Sequence, residues 1–560
     1  MAEARTEPPS AGAGGGAPVG AAGAGAPAQP AAQPAAAPQV NVALGMGRAM
    51  ATWQLFTVAK GEYEQALKEA GEDPAARAAA LERMHDKWAE KALDLCKRHG
   101  GIYNKAAQFV ATLQAGAGDK VIPLQYINTL KVLTDKAPSQ DIAAMAPLFE
   151  AEFGGRGKDE VFGSLQDVPL AAASLAQVHK GTTKAGQPVA VKLQYPQLRD
   201  QLASDFSVFH MLGSQIKPGG FDLTWVVRDF REALTMELDF TGEAANAVKF
   251  AKNFAHRDYV RVPAVVQELT TPRVLTMEFV GDMVRCDDPD ALRAAGLDVA
   301  EVSQKLSDTF AEMLFCTGFV HGDPHAGNVY ARRSASGAAE IVVLDHGLYH
   351  TMDEGVRKDL CAFVLACATR DSRKMRALGV RFAGPLHHYF PLILSPWFIF
   401  GGTLRAEDIQ AAQEKRMPPG VKVDEIGKFL VNLHDSAGNI LGVLHSMGYT
   451  RGILQAAGFP EKRRIKSLVK FAAMGLHGAG AGELPPAARL QVAVAQLYVE
   501  LLAVLIFALS LVVKVVRLPY GPALLAALAG PALAWGALRL YAARDDVLAV
   551  LAPRALTAVL

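Results

Sequence analysis

The stretch HGDPHAGNV, residues 321–329, sets Asp323 and Asn328 five positions apart in a run of turn-forming residues. Such a loop can hold a carboxylate and an amide at fixed separation, which suits positioning a hydroxyl beside a metal ion. Alone it is equally a polar surface turn. What constrains the fold is the rest of the set. Lys192 ends VAVK upstream, Glu237 and Glu243 lie in MELDFTGEAANA, and Asp345 closes the apolar run IVVLD downstream.

Each member falls on a recognisable element. PLAAASLAQVHKGTT, the turn KAGQ and PVAVKLQYP read as a hairpin with Lys192 on its second strand. A lysine flanked by Ala190 and Val191 points one way while its neighbours face the core. The periodicity then predicts one long helix near Thr224 to Phe250 carrying both glutamates, a strand pair around VRVPAVVQEL and RVLTMEFV, and a helix from Val302 to Cys316. The loop and a second hairpin ending in IVVLDHG follow. Strand lysine, helix glutamate, D-x-x-x-x-N loop and strand D-x-G, in that order, match the kinase layout of phosphoryl transfer. An exposed lysine, a solvated glutamate or a surface turn would each be unremarkable alone.

Three departures shape the expectation. The segment that would cover the phosphates is Ala171, Ala172, Ala173 and Ser174, where ordinary kinases are Gly-rich. Methyl groups restrict close backbone approach. Gly322 stands where the usual H-R-D carries arginine, so an activation-loop phosphate has no arginine there to grip. No A-P-E follows Asp345; GLYHTMDEG runs straight into a helical pattern, and the platform for a peptide substrate is missing. The fold class expected is α+β, a two-lobed protein-kinase-like fold with an N-terminal helical extension and C-terminal apolar helices.

The flanks complete that picture. Residues 1–40 are dominated by Ala, Gly, Pro and Gln and should be a disordered tail, with an organellar transit peptide as the other reading. Residues 41–155 read as successive amphipathic helices, 156–285 as the N-lobe and 286–480 as the C-lobe. Leu490 to Val513 and Pro519 to Leu538 are apolar runs of about 30 to 36 Å as helices, enough for a bilayer core. Residues 486–543 therefore read as a membrane hairpin, with two buried helices of a soluble domain as the competing reading, and 544–560 as a tail. Glu500 sits where a spanning helix would least want a charge. With a formal net charge of +1, the chain is not a general nucleic-acid binder. Cys96, Cys286, Cys316, Cys361 and Cys367 lack CxxC spacing, which argues for isolated thiols over zinc or disulfides.

At this point the sequence resembles the UbiB/aarF-domain atypical kinase family. PLAAASLAQVHKG, VAVKLQYP, MELDFTGEAANA, FVHGDPHAGNV and VVLDHG are similar to its signature segments, in the right order. GLY directly after LDH is similar to the mitochondrial aarF-domain branch. The resemblance implies ATP or ADP bound with Mg2+, conditional ATPase or kinase activity at a membrane, and service to lipid or quinone metabolism. It implies an organellar location, mitochondrion first and chloroplast as the alternative. By position it implies that Lys192 pairs with Glu243, that Asp323 is the catalytic-loop aspartate, and that Asn328 and Asp345 are metal ligands. The family's K-x-G-Q motif matches YNKAAQFV, with Lys105 and Gln108 in place and Ala107 at the glycine position. Lys105 would then contact Glu237, and this helix and Ala171–Ser174 would close over the nucleotide.

Two other classes stay open. A small-molecule kinase of the aminoglycoside or choline type also uses an H-G-D-x-x-x-x-N loop. A non-catalytic, nucleotide-gated membrane scaffold would keep the same polar residues.

Overall fold

The computed structural model describes residues 42–112, 123–134, 139–215, 224–384, 387, 390–395, 440–478 and 484–516. The tail 1–40, the second apolar run 519–538 and the tail 544–560 lie outside the described residues.

The extension comprises α1 (Val42–Glu69), α2 (Pro74–His99), α3 (Gly101–Thr112), α4 (Leu124–Leu130) and α5 (Ala146–Glu152). Asp73 starts α2 by accepting the Ala75 and Ala76 N–H groups, with Pro74 in the first turn. Gly100 and Gly101, at φ 62° and 48°, turn the chain sharply into α3.

Next comes an antiparallel sheet. β1 (Ser164–Leu165), β2 (Ala171–Ala172), β3 (Ala176–Thr182) and β4 (Pro188–Gln194) are followed by α6 (Leu198–Gln215), α7 (Thr224–Glu237) and α8 (Phe240–Asn253). β5 (Val260–Arg261) joins the second sheet, and β6 (Val274–Glu278) completes the first in the order β1-β3-β4-β6, with β2 beside β3. The single long helix expected from Thr224 to Phe250 is two helices. Asp239 accepts the Thr241 N–H at 3.0 Å and caps α8, and that local bond ends one helix and starts the next. The expected strand pair is also reduced: between β5 and β6 the chain makes two isolated bridges, Val265 to Met277 and Thr271 to Val274, and a 3₁₀ turn at Gln267–Leu269.

β7 (Val284–Arg285) precedes α9 (Val299–Glu312), which runs into a π-turn, Met313–Thr317, that ends at Gly318 with φ 64°. β8 (Phe319–His321), β9 (Val329–Arg333), β10 (Ala339–Val343) and β11 (Tyr349–Thr351) frame the 321–329 loop. β10 pairs parallel with β5 and antiparallel with β9, and β7 flanks β9, so this sheet takes two strands from before residue 286. β11 ends at Thr351 and α10 (Glu354–Thr369) begins almost at once, followed by α11 (Ser372–Ala383), α12 (Ile440–Ala456), α13 (Glu461–His477) and α14 (Pro486–Val516). As the sequence implied, the chain passes from GLYHTMDEG almost directly into a helix.

Two cores hold this arrangement. In one, Val189, Val191 and Leu193 of β4 pack with Ile102 of α3 and Leu148 and Phe149 of α5, so the extension shares the small lobe's interior. A buried ion pair reinforces it, Arg48 of α1 to Asp205 of α6 at 2.8 Å. The other core gathers Phe310, Val329, Ile341, Phe363 and Phe471. Val492, Ala495, Val499 and Leu502 of α14 belong to that large-lobe core. Pro486–Val504 is long and apolar enough to cross a membrane, yet one face of it is built into the protein, while Leu490, Val494, Leu497, Leu501 and Val504 face outward. Glu500 is explained by its partners: Lys466 and Lys462 of α13 reach its carboxylate. All five cysteines are free thiols.

Candidate active site

Lys192 is the hub. Its neighbours on β4, Val191 and Leu193, are fully buried and fix the strand, leaving the lysine on the opposite face. Its Nζ donates to both oxygens of Glu243 at 2.8 Å and to Asp345 Oδ2 at 3.2 Å. The Phe240 ring lies under the ammonium, 5.1 Å from nitrogen to centroid. Glu243 is 3% exposed in the first turn of α8, placed there by the Asp239 cap.

Asp345 follows β10. The Gly347 N–H donates to its Oδ1 at 2.9 Å. A Cβ on Gly347 would come within 3.2 Å of Asp345 Oδ1, a tight contact that the glycine avoids. Burial alone would raise the Asp345 carboxyl; the Lys192 ammonium and the Gly347 N–H hold it well below the ordinary range. Burial pushes Glu243 up to about 7 against the pull of Lys192. Burial likewise works against the Lys192 charge, and the Asp345 and Glu243 carboxylates more than restore it.

A second ion pair lies beside the first. Lys105 of α3 meets Glu237, the last residue of α7, at 2.7 Å, and Lys105 also feels the charges of Asp323 and Asp345. Ala107 is buried against Leu130 and Leu133, so the methyl at the glycine position serves the extension's own packing. Gln108 sits three positions after Lys105 in α3; its side chain lies outside the described residues.

The Ala171–Ser174 segment forms β2 and a tight turn closed by the Ala173 N–H to the Ala176 carbonyl, 2.8 Å. Ala171 pairs with Val178, and Val178 with Lys192, so Ala171 stands in the same row as the lysine, two strands or roughly 10 Å away. Ala171 and Ala173 are exposed and Ser174 is buried.

In the 321–329 loop, the Asn328 amide donates to the Asp323 carbonyl at 3.0 Å, which leaves its oxygen as the free acceptor. His321, to which sequence reasoning gave no role, ties the site together. One ring nitrogen accepts the Asp323 N–H at 3.1 Å and the other meets the Asp345 carbonyl at 2.5 Å. Its place in HGD was the available signal. Gly322 has a physical reason: a Cβ there would lie 2.6 Å from Leu348 and 2.9 Å from His350, which fill the space an arginine would need.

Lys192, Glu243 and Asp345 are therefore in direct contact, Lys105 and Glu237 adjoin them, and Asp323 and Asn328 share one braced loop. This set can hold polyphosphate against an ammonium and present an amide oxygen and a carboxylate to a hard cation.

Comparison with known proteins gives the family. Residues 132–378 match the family model of the ABC1 atypical kinase-like domain. The chain is 36% identical over 356 residues to AarF domain-containing protein kinase 1 of Gallus gallus, covering 62% of this chain and 66% of that protein, slightly under two thirds. It is 32% identical over 397 residues to the protein of the same name from Xenopus laevis, covering 69% of this chain and 73% of that one. It is 34% identical over 324 residues to AarF domain-containing kinase 1 of Drosophila melanogaster, covering 56% and 61%. On its fold, its motifs and these relatives, the chain belongs to the ABC1/AarF family of atypical kinase-like proteins.

Proposed function

We propose that this chain binds MgATP between its lobes and transfers or hydrolyses the γ-phosphoryl group at a membrane, in lipid or quinone-type metabolism. The observation that carries the reading is the Lys192 ammonium held at once by Glu243 and Asp345. Glu243 orients the ammonium, which is then placed to neutralise α- and β-phosphate charge. Asp323 takes the proton of an attacking hydroxyl or water, its backbone held by His321 and Asn328. As that oxygen bonds to the γ-phosphorus, the bond to the bridging oxygen breaks and ADP leaves. Lys105 adds positive charge on the extension side.

The donor set fits magnesium. Among the described residues no group of three or more His, Cys, Asp and Glu forms a metal cage. Magnesium on a nucleotide takes only one or two protein oxygens, and Asn328 and Asp345 supply that number. Magnesium held there would supply charge neutralisation at the phosphoryl oxygens.

Membrane attachment is supported by the outward apolar face of α14, Leu490, Val494, Leu497, Leu501 and Val504, whose opposite face belongs to the large lobe. The mitochondrial address, with chloroplast as the alternative, is supported by GLY following LDH. Calorimetric titration with MgADP and phosphate release on anionic liposomes, for wild type and Asp345→Asn, test the reading. Hydrolysis abolished by the substitution is expected. Equal hydrolysis in both would remove the enzyme; nucleotide bound without hydrolysis in either would leave the scaffold.

A further inference from the structure

Two polar side chains stand in an otherwise apolar row. On β3, Gln177 and His179 face the interior opposite Leu193 and Val191 of β4, and neither has any accessible surface. Their neighbours Val178 and Lys180 point to the other face, the one that carries Lys192. A buried amide and a buried imidazole are costly unless their polar atoms have partners. Here the partners come from two separate parts of the chain. Gln177 Oε1 accepts the Gln140 N–H at 2.8 Å, and Gln177 Nε2 donates to the Gln140 carbonyl at 3.0 Å. One side chain thus holds both backbone groups of a residue in the extension, shortly after its 3₁₀ turn Lys131–Thr134. The same Nε2 meets His179 Nε2 at 2.9 Å, and His179 Nδ1 meets the Gln166 carbonyl at 2.7 Å.

The direction of every bond in this series follows from its first member. A backbone N–H can only donate, so the end of Gln177 that faces it is the oxygen and the other end is the NH2 group. That group donates to His179 Nε2, which must be the bare nitrogen. The ring proton therefore sits on Nδ1 and is donated to Gln166. Burial lowers the His179 imidazole against the opposing pull of the Gln166 carbonyl and Asp167, which keeps it in the neutral form that can accept. Gln166 is where the chain enters the segment leading to Ala171–Ser174. Its N–H is held by the Lys180 carbonyl at 2.8 Å and its carbonyl by His179, and the Leu170 N–H is held by the Val178 carbonyl at 2.7 Å. Gln166, Asp167 and Val168 are exposed, so these bonds, more than packing, set the path into the turn.

We propose that Gln177 and His179 are positioning residues, a buried relay through which the seating of the extension is felt at the entry to the Ala171–Ser174 turn. The inference rests on the nucleotide-binding reading of the site, because Ala171 stands in the row of Lys192. When Gln140 moves with the extension, Gln177 loses the bonds that fix its amide. His179 then loses the donor that sets its tautomer, and its hold on the Gln166 carbonyl slackens.

Two readouts in the full chain test the relay. The first is MgADP release in stopped flow. Gln177→Leu roughly keeps the volume and removes the bonds, and it should speed release about fivefold, the worth of one hydrogen bond between neutral groups. Combined with Lys105→Ala, which loosens the extension by another route, it should release more slowly than the product of the two single effects. A double variant that reaches the full product shows two independent holds and overturns the relay. The second readout is the nitrogen NMR spectrum of histidine-labelled protein. The His179 signals are identified by their loss in His179→Asn, which keeps an N–H for the Gln166 carbonyl. Wild type should show the Nδ1–H tautomer, and Lys105→Ala should shift the bare Nε2 signal. An Nε2–H tautomer, or an Nε2 signal that Lys105→Ala leaves in place, overturns the relay even where Gln177→Leu fails to fold. A wild type that binds no MgADP removes the nucleotide reading, and the spectra then decide the relay by themselves.

Discussion

Two lysine–glutamate pairs stand side by side in this site, and they are built differently. Lys192 and Glu243 join a central strand to the capped start of α8, and the lysine is shared with Asp345 of the other lobe. Lys105 and Glu237 join the extension to the end of α7, with 19% and 15% of their side chains exposed and, among the described residues, no third carboxylate in contact. Their lengths, 2.8 and 2.7 Å, are nearly equal, so distance does not distinguish them. What does is the number of elements each fixes. The first pair ties a strand, a helix and the Asp345 segment together; the second pins an added helix beside them.

Substitutions should separate the two pairs in a definite order. Lys192→Ala strands a buried carboxylate and should lower stability by about 3 kcal/mol in denaturant unfolding, with MgADP binding lost in calorimetry. Unchanged affinity would show that the hub is only structural. Next in size is a pH effect. A carboxyl raised to about 7 is ionised above that pH and neutral below it, so Glu243 should orient Lys192 progressively less as pH falls. MgADP affinity is expected to drop about threefold from pH 8 to pH 6, and Glu243→Gln should flatten that profile. Lys105→Ala should cost about 1 kcal/mol and speed MgADP release in stopped flow, because it frees a helix and removes the positive charge on the extension side. A slower release would reverse the roles given to the two pairs. As a baseline, the more exposed Glu500 pairing with Lys466 and Lys462 should be worth within about 0.5 kcal/mol, measured with Glu500→Gln.

The order of motifs made much of this site legible. A strand lysine between buried neighbours, a turn-rich D-x-x-x-x-N loop and an aspartate after an apolar run are local patterns, and each falls on the expected kind of element. The pairings of Lys192 with Glu243 and Lys105 with Glu237 came from family resemblance, since spacing alone could not choose between two glutamates in one segment. What escaped depends on tertiary packing. The helix break at Asp239 is a capping bond that competes with an otherwise continuous apolar period. β5 opens the stretch VRVPAVVQEL that reads as a strand, but its partner is β10, 81 positions on, and no local pattern could assign that pairing. His321 looked like one polar residue among several until both ring nitrogens had partners.

The common interior of α3, α5 and β4 has a practical side. Removing the residues before 156 would uncover Val189, Val191 and Leu193, which have no accessible surface in the intact chain. A trimmed protein lacking that segment would tend to aggregate through its newly bare sheet, and its silence in an assay would say nothing about what the segment controls. Questions about that control call for point changes at Lys105 or Glu237, made in the whole chain.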